Sequence, residues 1–161
     1  ATQRKVKTQK DEVLGRAEIA DRIRTQVGRR FKKKLRAVFY ELGVNRGGRL
    51  RADVVALAMN GYVVIVEVKS SVADFRTDKK MQGYLPYCNQ FYLAVTKKVY
   101  SKIKDEIVDG AGVFVLDDQA TSILKVHKAK RRDIGSDIAQ NLAIRAAFRT
   151  SEFNTRKNGR A

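Results

Sequence analysis

Residues 51–58 (RADVVALA) and 62–69 (YVVIVEVK) are two apolar segments separated by Met59, Asn60 and Gly61. This is the strongest hairpin signal in the chain. Val54, Ala56 and Ala58 alternate with Val55 and Leu57 in the first segment, and Val64 and Val66 with Val63 and Ile65 in the second. Both faces of both strands are therefore apolar and have to be covered, which places the pair centrally in a sheet beneath helices. Asp53, Glu67 and Lys69 are set into this apolar pair, where a charge is costly unless it is paired or holds a metal. Loop length decides how they meet. A two-residue Asn-Gly turn puts Asp53 and Glu67 on opposite faces. A three-residue loop with Gly61 in the left-handed region sets Asp53 directly across from Glu67, with Lys69 on the same face. Only the second register brings the acids within reach of a common cation. A plain structural Lys-Glu pair at a strand end is the simpler alternative.

Around the hairpin, periodicity predicts the other elements. Thr8 with Asp11 resembles a capping box, and Val13, Leu14, Ala17, Ala20 and Ile23 give a helix from about Lys10 to Val27, ended by Gly28. Leu35 to Leu42 reads as a strand, with helix as the alternative, and Gly43 to Gly48 as a turn. Ser71 to Cys88 has helical character, with Ser71 or Asp74 as cap and Pro86 near the end. Phe91 to Val95 is a buried strand, Tyr100 to Ile107 a short helix, Val113 to Leu116 with Ile123 to Val126 a second hairpin, and Ile134 to Phe148 a closing helix. With 161 residues, this is one domain, 1–161, with basic or polar tails at 1–10 and 151–161.

The charge is uneven. Of the net +17, residues 1–36 carry +9, residues 125–161 carry +7, and the middle only +1. Two basic ends around a nearly neutral core point to a polyanionic partner, with solvated surface as the simpler alternative. In the first basic end, Arg29, Arg30, Lys32, Lys33 and Lys34 surround Phe31. Lys130, Arg131 and Arg132 mark the second, and Arg76, Lys79 and Lys80 lie between. All are candidate phosphate contacts. One Cys and one His exclude an internal disulfide and the common zinc sites. The longest apolar runs are strand-sized and the first residues lack the apolar stretch of a secretory signal, so the expectation is no membrane and a cytoplasmic, nucleoid-associated or virion-interior location. His127 reads as a surface residue, and Gly47-Gly48 lacks the Lys-Ser/Thr of a phosphate loop.

The segments Arg51–Leu57, Val66–Ser71 and Asp74-Phe75-Arg76, with Asp78, Lys80, Tyr84, Tyr87-Cys88, Phe91-Tyr92 and Ala94-Val95, resemble the MmcB-like DNA-repair family of the PD-(D/E)XK nuclease superfamily, over roughly Gly48 to Asp117. The resemblance implies an α/β, restriction-endonuclease-like fold. Its αβββαβ core has a mixed central sheet flanked by helices, and here a C-terminal hairpin and helix follow. It also implies a phosphodiesterase site with Asp53, Glu67 and Lys69 in the catalytic positions, and with Asp53, Glu67 and the Val68 carbonyl holding Mg²⁺ or Mn²⁺. Met81 stands where the family tends to have Trp, and Asn89 where Asp is usual. A first-helix glutamate is often added in the superfamily, for which Glu18 and Glu12 are candidates. Asp74, Asp78 and Tyr84 are possible accessory residues, Tyr84 and Tyr87 reading first as helix-to-sheet packing. The expected function is metal-dependent hydrolysis of DNA in repair, recombination or phage DNA processing. The alternative is a non-catalytic DNA-binding or structural component of a nucleoprotein or virion assembly, with a homo-oligomer or larger complex as partner.

Overall fold

A computed structural model describes residues 14–151. Thr8, Asp11 and Glu12, and most of both tails, lie outside the described residues. The chain runs α1 (Arg16–Lys33), β1 (Ala37–Gly43), β2 (Arg51–Leu57), β3 (Val63–Val68), α2 (Val72–Thr77), a 3₁₀ segment (Met81–Tyr87), β4 (Gln90–Thr96), α3 (Lys97–Ile103), β5 (Gly112–Leu116), β6 (Ile123–His127) and α4 (Ser136–Thr150). The six strands form one sheet in sequence order. β1, β2 and β3 are antiparallel, β4 and β5 run parallel to β3, and β6 returns antiparallel. The order helix, three antiparallel strands, helix, strand is the expected core, with the second hairpin and closing helix appended.

Every residue of β3 and of β4 is buried, as apolar character on both faces requires. On one face, α1 buries Ile19, Ile23, Val27 and Phe31, a stripe at four-residue spacing, against Val54, Val64, Val66, Tyr92 and Phe114. On the other face Phe75, Tyr84, Val99, Ile103 and Leu142 cover Val55, Ile65, Leu93 and Val95.

Several boundaries differ from the sequence reading. Leu14 and Gly15 are not helical, and α1 begins at Arg16. Gly28 does not end the helix. It sits inside α1 against Tyr40, whose hydroxyl oxygen would lie 1.9 Å from a Cβ added there. Its lack of a side chain serves close approach and not termination. The helix ends at Lys33, and Leu35, 88% exposed with φ +57°, belongs to the turn and not to β1. The single helix expected over 71–88 is two pieces. Asp78 is extended, its carboxylate is held by Lys69 and by the Lys80 N–H, and Pro86 falls in the 3₁₀ segment. Asn89 is a staple: it accepts from Val63 N–H at 2.8 Å and donates to the Arg132 carbonyl at 3.0 Å, tying the start of β3 to the 129–132 segment.

Candidate active site

The hairpin takes the three-residue loop. Val54 pairs with Val66 and Leu57 with Val63, and Gly61 has φ +85°, where a Cβ would be strained. One step beyond the last pair, Asp53 faces Glu67. Here the strands part, and carboxylates take over from the backbone ladder. Glu67 Oε1 accepts from the Asp53 N–H at 3.0 Å, and Asp53 Oδ2 accepts from the Val68 N–H at 2.8 Å. Each acid thus anchors the strand that carries the other. Because the N–H and C=O of one strand residue point to the same edge, the Val68 carbonyl also faces this fork. The other oxygens, Asp53 Oδ1 and Glu67 Oε2, accept no hydrogen bond from the described residues.

Glu67 is 5% exposed. Burial, then the charge of Asp53, pushes its pKa up to about 8, against the opposing pull of the Asp53 N–H and Lys69. Burial also raises Asp53, opposed by the Val68 N–H, Lys69 and Arg24. Two desolvated carboxylates facing each other make a site short of positive charge. Lys69, 6% exposed, does not hydrogen-bond to either. Its ammonium forms a short ion pair with Asp78. Burial works against that ammonium, but the hydrogen bond and charge of Asp78 outweigh it and hold the Lys69 pKa above its usual value. Asp78 is lowered: burial raises it, and Lys69 with the Lys80 N–H overcomes that.

Tyr84 is buried, stacks on Phe91 at 6.1 Å and donates to the Arg51 carbonyl at 2.8 Å, which fixes the start of β2 beside the fork. Its hydroxyl pKa is raised by burial and by the nearby Glu67, Asp53 and Asp78 charges. The Asp74 carboxylate accepts weakly from the Ser70 N–H, and the Asp74 N–H donates to the hydroxyl oxygen of Ser71, the N-cap of α2. The structure therefore gathers Asp53, Glu67, Val68, Lys69, Asp78 and Tyr84, with Asp74 near. Glu18 is elsewhere: it pairs with Arg22 at 3.1 Å and lines a groove with Ala120 and Thr121. His127 stacks on Tyr100.

A magnesium or manganese ion takes one or two carboxylates and completes its shell with water or phosphate oxygens. The fork fits that demand, with two anchored carboxylates that each keep one oxygen, mutual repulsion and a facing carbonyl. A site of three or more His, Cys, Asp or Glu is not present among the described residues, so the protein would supply two acidic ligands.

The basic residues separate. Arg76 is held by Glu106 through two hydrogen bonds of 3.0 and 2.8 Å, while Lys79 and Lys80 are exposed near Asp78. Arg29 lines the same groove as Glu18 and Asp21, Lys32 lies over the Tyr40 ring, and Lys33 is exposed. Lys130 and Arg132 flank Pro86 in another surface groove. Arg30, Lys34 and Arg131 converge with Arg36 and Lys128. Sequence reasoning missed those last two, and it also missed Arg24, whose charge acts on Asp53. Lys128 stood in the second basic run and Arg36 closed the first. For Arg24 no linear signal existed. No helix among the described residues is long and apolar enough to cross a membrane.

The family model described as DNA repair protein MmcB-like matches residues 7–154. Among solved structures, the chain is similar to SPO1766, a protein of unknown function from Silicibacter pomeroyi. The match has 25% identity and a TM-score of 0.69, and it covers 88% of this chain and 94% of that one. A comparison with curated proteins found no match.

Proposed function

The chain belongs to the family of MmcB-like DNA repair proteins, which ties it to DNA, and on that premise we propose that it is a divalent-metal-dependent nuclease hydrolysing DNA phosphodiester bonds. The observation that carries this reading is the fork: the buried Glu67 and half-buried Asp53 carboxylates face each other, each fixed by a backbone N–H and each keeping one oxygen.

Asp53, Glu67 and the Val68 carbonyl would hold Mg²⁺ or Mn²⁺. The ion, when bound, lowers the pKa of coordinated water and offsets the charge that develops on the phosphate. The chain's own residues do the rest. The reciprocal hydrogen bonds hold both carboxylates at fixed positions before the ion arrives, so little ordering is left to do on binding. Tyr84 keeps the start of β2, and with it Asp53, in register with Glu67. Lys69, held protonated by Asp78, supplies a fixed positive charge beside the fork. In that state it orients and stabilises an anionic phosphate and does not take up a proton. The exposed cations of the two basic runs draw the polyanion to the surface without reading its sequence.

The test is incubation of purified protein with supercoiled and linear DNA in Mg²⁺, in Mn²⁺ and in EDTA. Cleavage is expected with metal only, and Asp53→Asn, Glu67→Gln and Lys69→Met should each lose it by about 100-fold or more while still binding DNA. Absence of cleavage of every DNA form with either metal would leave a DNA-binding component on this fold. One observation favours that second reading: the Lys69 ammonium is hydrogen-bonded to Asp78 and not to the fork.

A further inference from the structure

At the other end of the sheet, the last turn of α1, the starts of β3 and β4, and residues 128–131 enclose a groove of about 420 Å³. Five cationic side chains line it, Arg30, Lys34, Arg36, Lys128 and Arg131, and no acidic one among the described residues does. Arg30 lies in the last turn of α1 and Lys34 is its C-cap residue, one turn further on. None of the five belongs to an ion pair among the described residues.

Lys34, Lys128 and Arg131 are exposed, but a purely solvated cationic surface leaves every donor in water, and here one is withdrawn from it. Nη1 of Arg36 is buried without a hydrogen-bond partner among the described residues. The guanidinium groups of Arg36 and Arg131 lie 5.7 and 5.8 Å from the centre of the same ring, Tyr62, whose own hydroxyl is buried without a partner among the described residues. Two like charges drawn to one ring, with a buried donor unmade, form an arrangement that an anion would complete. Arginine forks match phosphate oxygens in pairs, which favours phosphate over a simple halide.

We propose that this groove binds a backbone phosphate of nucleic acid at a position separate from the cleavage site. Val64 in the groove and Glu67 in the fork are three strand residues apart, about 10 Å, and by alternation they face opposite sides of the sheet. One phosphate cannot serve both, so the groove holds a different segment of the polymer. The inference rests on the DNA-binding part of the proposed function and not on cleavage.

The test is fluorescence anisotropy of labelled single-stranded and duplex oligonucleotides in EDTA, over a series of salt concentrations. The pairs Arg36→Gln/Arg131→Gln and Lys128→Gln/Arg131→Gln are compared with a charge-matched control on α3 and the following turn, Lys102→Gln/Lys104→Gln. The second pair changes only exposed side chains and so covers the case in which loss of Arg36 perturbs folding. Each groove pair should weaken binding by about tenfold or more and reduce the slope of log affinity against log salt by about 1–2, with the control within about threefold of wild type. Groove pairs that behave as the control would overturn the proposal. A pyrophosphate arm separates the phosphate sources: saturable pyrophosphate binding with unchanged oligonucleotide affinity in the groove pairs would assign the groove to a small phosphate and also overturn it. Because the assay contains no divalent metal, a failure of the nuclease reading leaves its outcome unaffected.

Discussion

Replacing Glu67 with Gln is expected to stabilise the metal-free protein at alkaline pH and to change little at acid pH. Burial and the facing Asp53 push the Glu67 pKa from 4.5 to about 8, whereas in the unfolded chain the proton leaves near the ordinary value. Between those two pH values the folded state binds more protons than the unfolded state, so stability is complete below about pH 4.5 and is lost as pH rises towards 8. Asp53 is raised as well and adds to the same trend. At about 1.4 kcal/mol per tenfold change in proton concentration, the ceiling for Glu67 is about 5 kcal/mol. Water entering the fork once the acid ionises lowers the realised cost to on the order of 1–3 kcal/mol. Gln keeps an oxygen for the Asp53 N–H and carries no charge. Urea unfolding in EDTA should therefore show the variant more stable by about 1–3 kcal/mol at pH 9, roughly 3–9 °C in Tm, and by less than about 0.5 kcal/mol at pH 4.5. An equal gain at both pH values, or no gain at pH 9, would refute the reasoning.

Gly28→Ala should destabilise by about 1–3 kcal/mol because its Cβ collides with the Tyr40 hydroxyl, and Tyr40→Phe should recover part of that loss in denaturant titration. Asn89→Ala removes both the acceptor for Val63 N–H and the donor to Arg132 carbonyl, for an expected cost of about 2–4 kcal/mol in the same assay. Asp78→Asn removes the charge that holds the Lys69 ammonium against burial. The Lys69 titration, followed by NMR of its Nζ or Cε, should move to lower pH, and an unmoved titration would show that Asp78 does not control it.

The hairpin was legible because both its signals are local. The Met59-Asn60-Gly61 loop allowed two registers, and Asp53 meets Glu67 in the three-residue one that the folded hairpin adopts. The apolar strands and the stripe of α1 were legible for the same reason. What failed depended on contacts distant in sequence. Gly28 resembles a helix stop until Tyr40, twelve residues on, is packed against it, and the 71–88 segment breaks where Asp78 is captured by Lys69. The basic runs read as two uniform patches, but helix rotation scatters Arg29, Lys32 and Lys33 away from Arg30 and Lys34. Only the folded sheet brings Arg36, Lys128 and Arg131 to the latter pair.

The central claim is that the fork between β2 and β3 holds a divalent cation, and Mn²⁺ binding measured by electron paramagnetic resonance of the free ion at pH 8 tests it directly. Wild type is expected to bind one Mn²⁺ per chain at the fork, Asp53→Asn and Glu67→Gln to lose it, and Arg36→Gln/Arg131→Gln to keep it. Stoichiometric Mn²⁺ binding that survives both acid substitutions, or its absence in wild type with and without DNA, would contradict the claim.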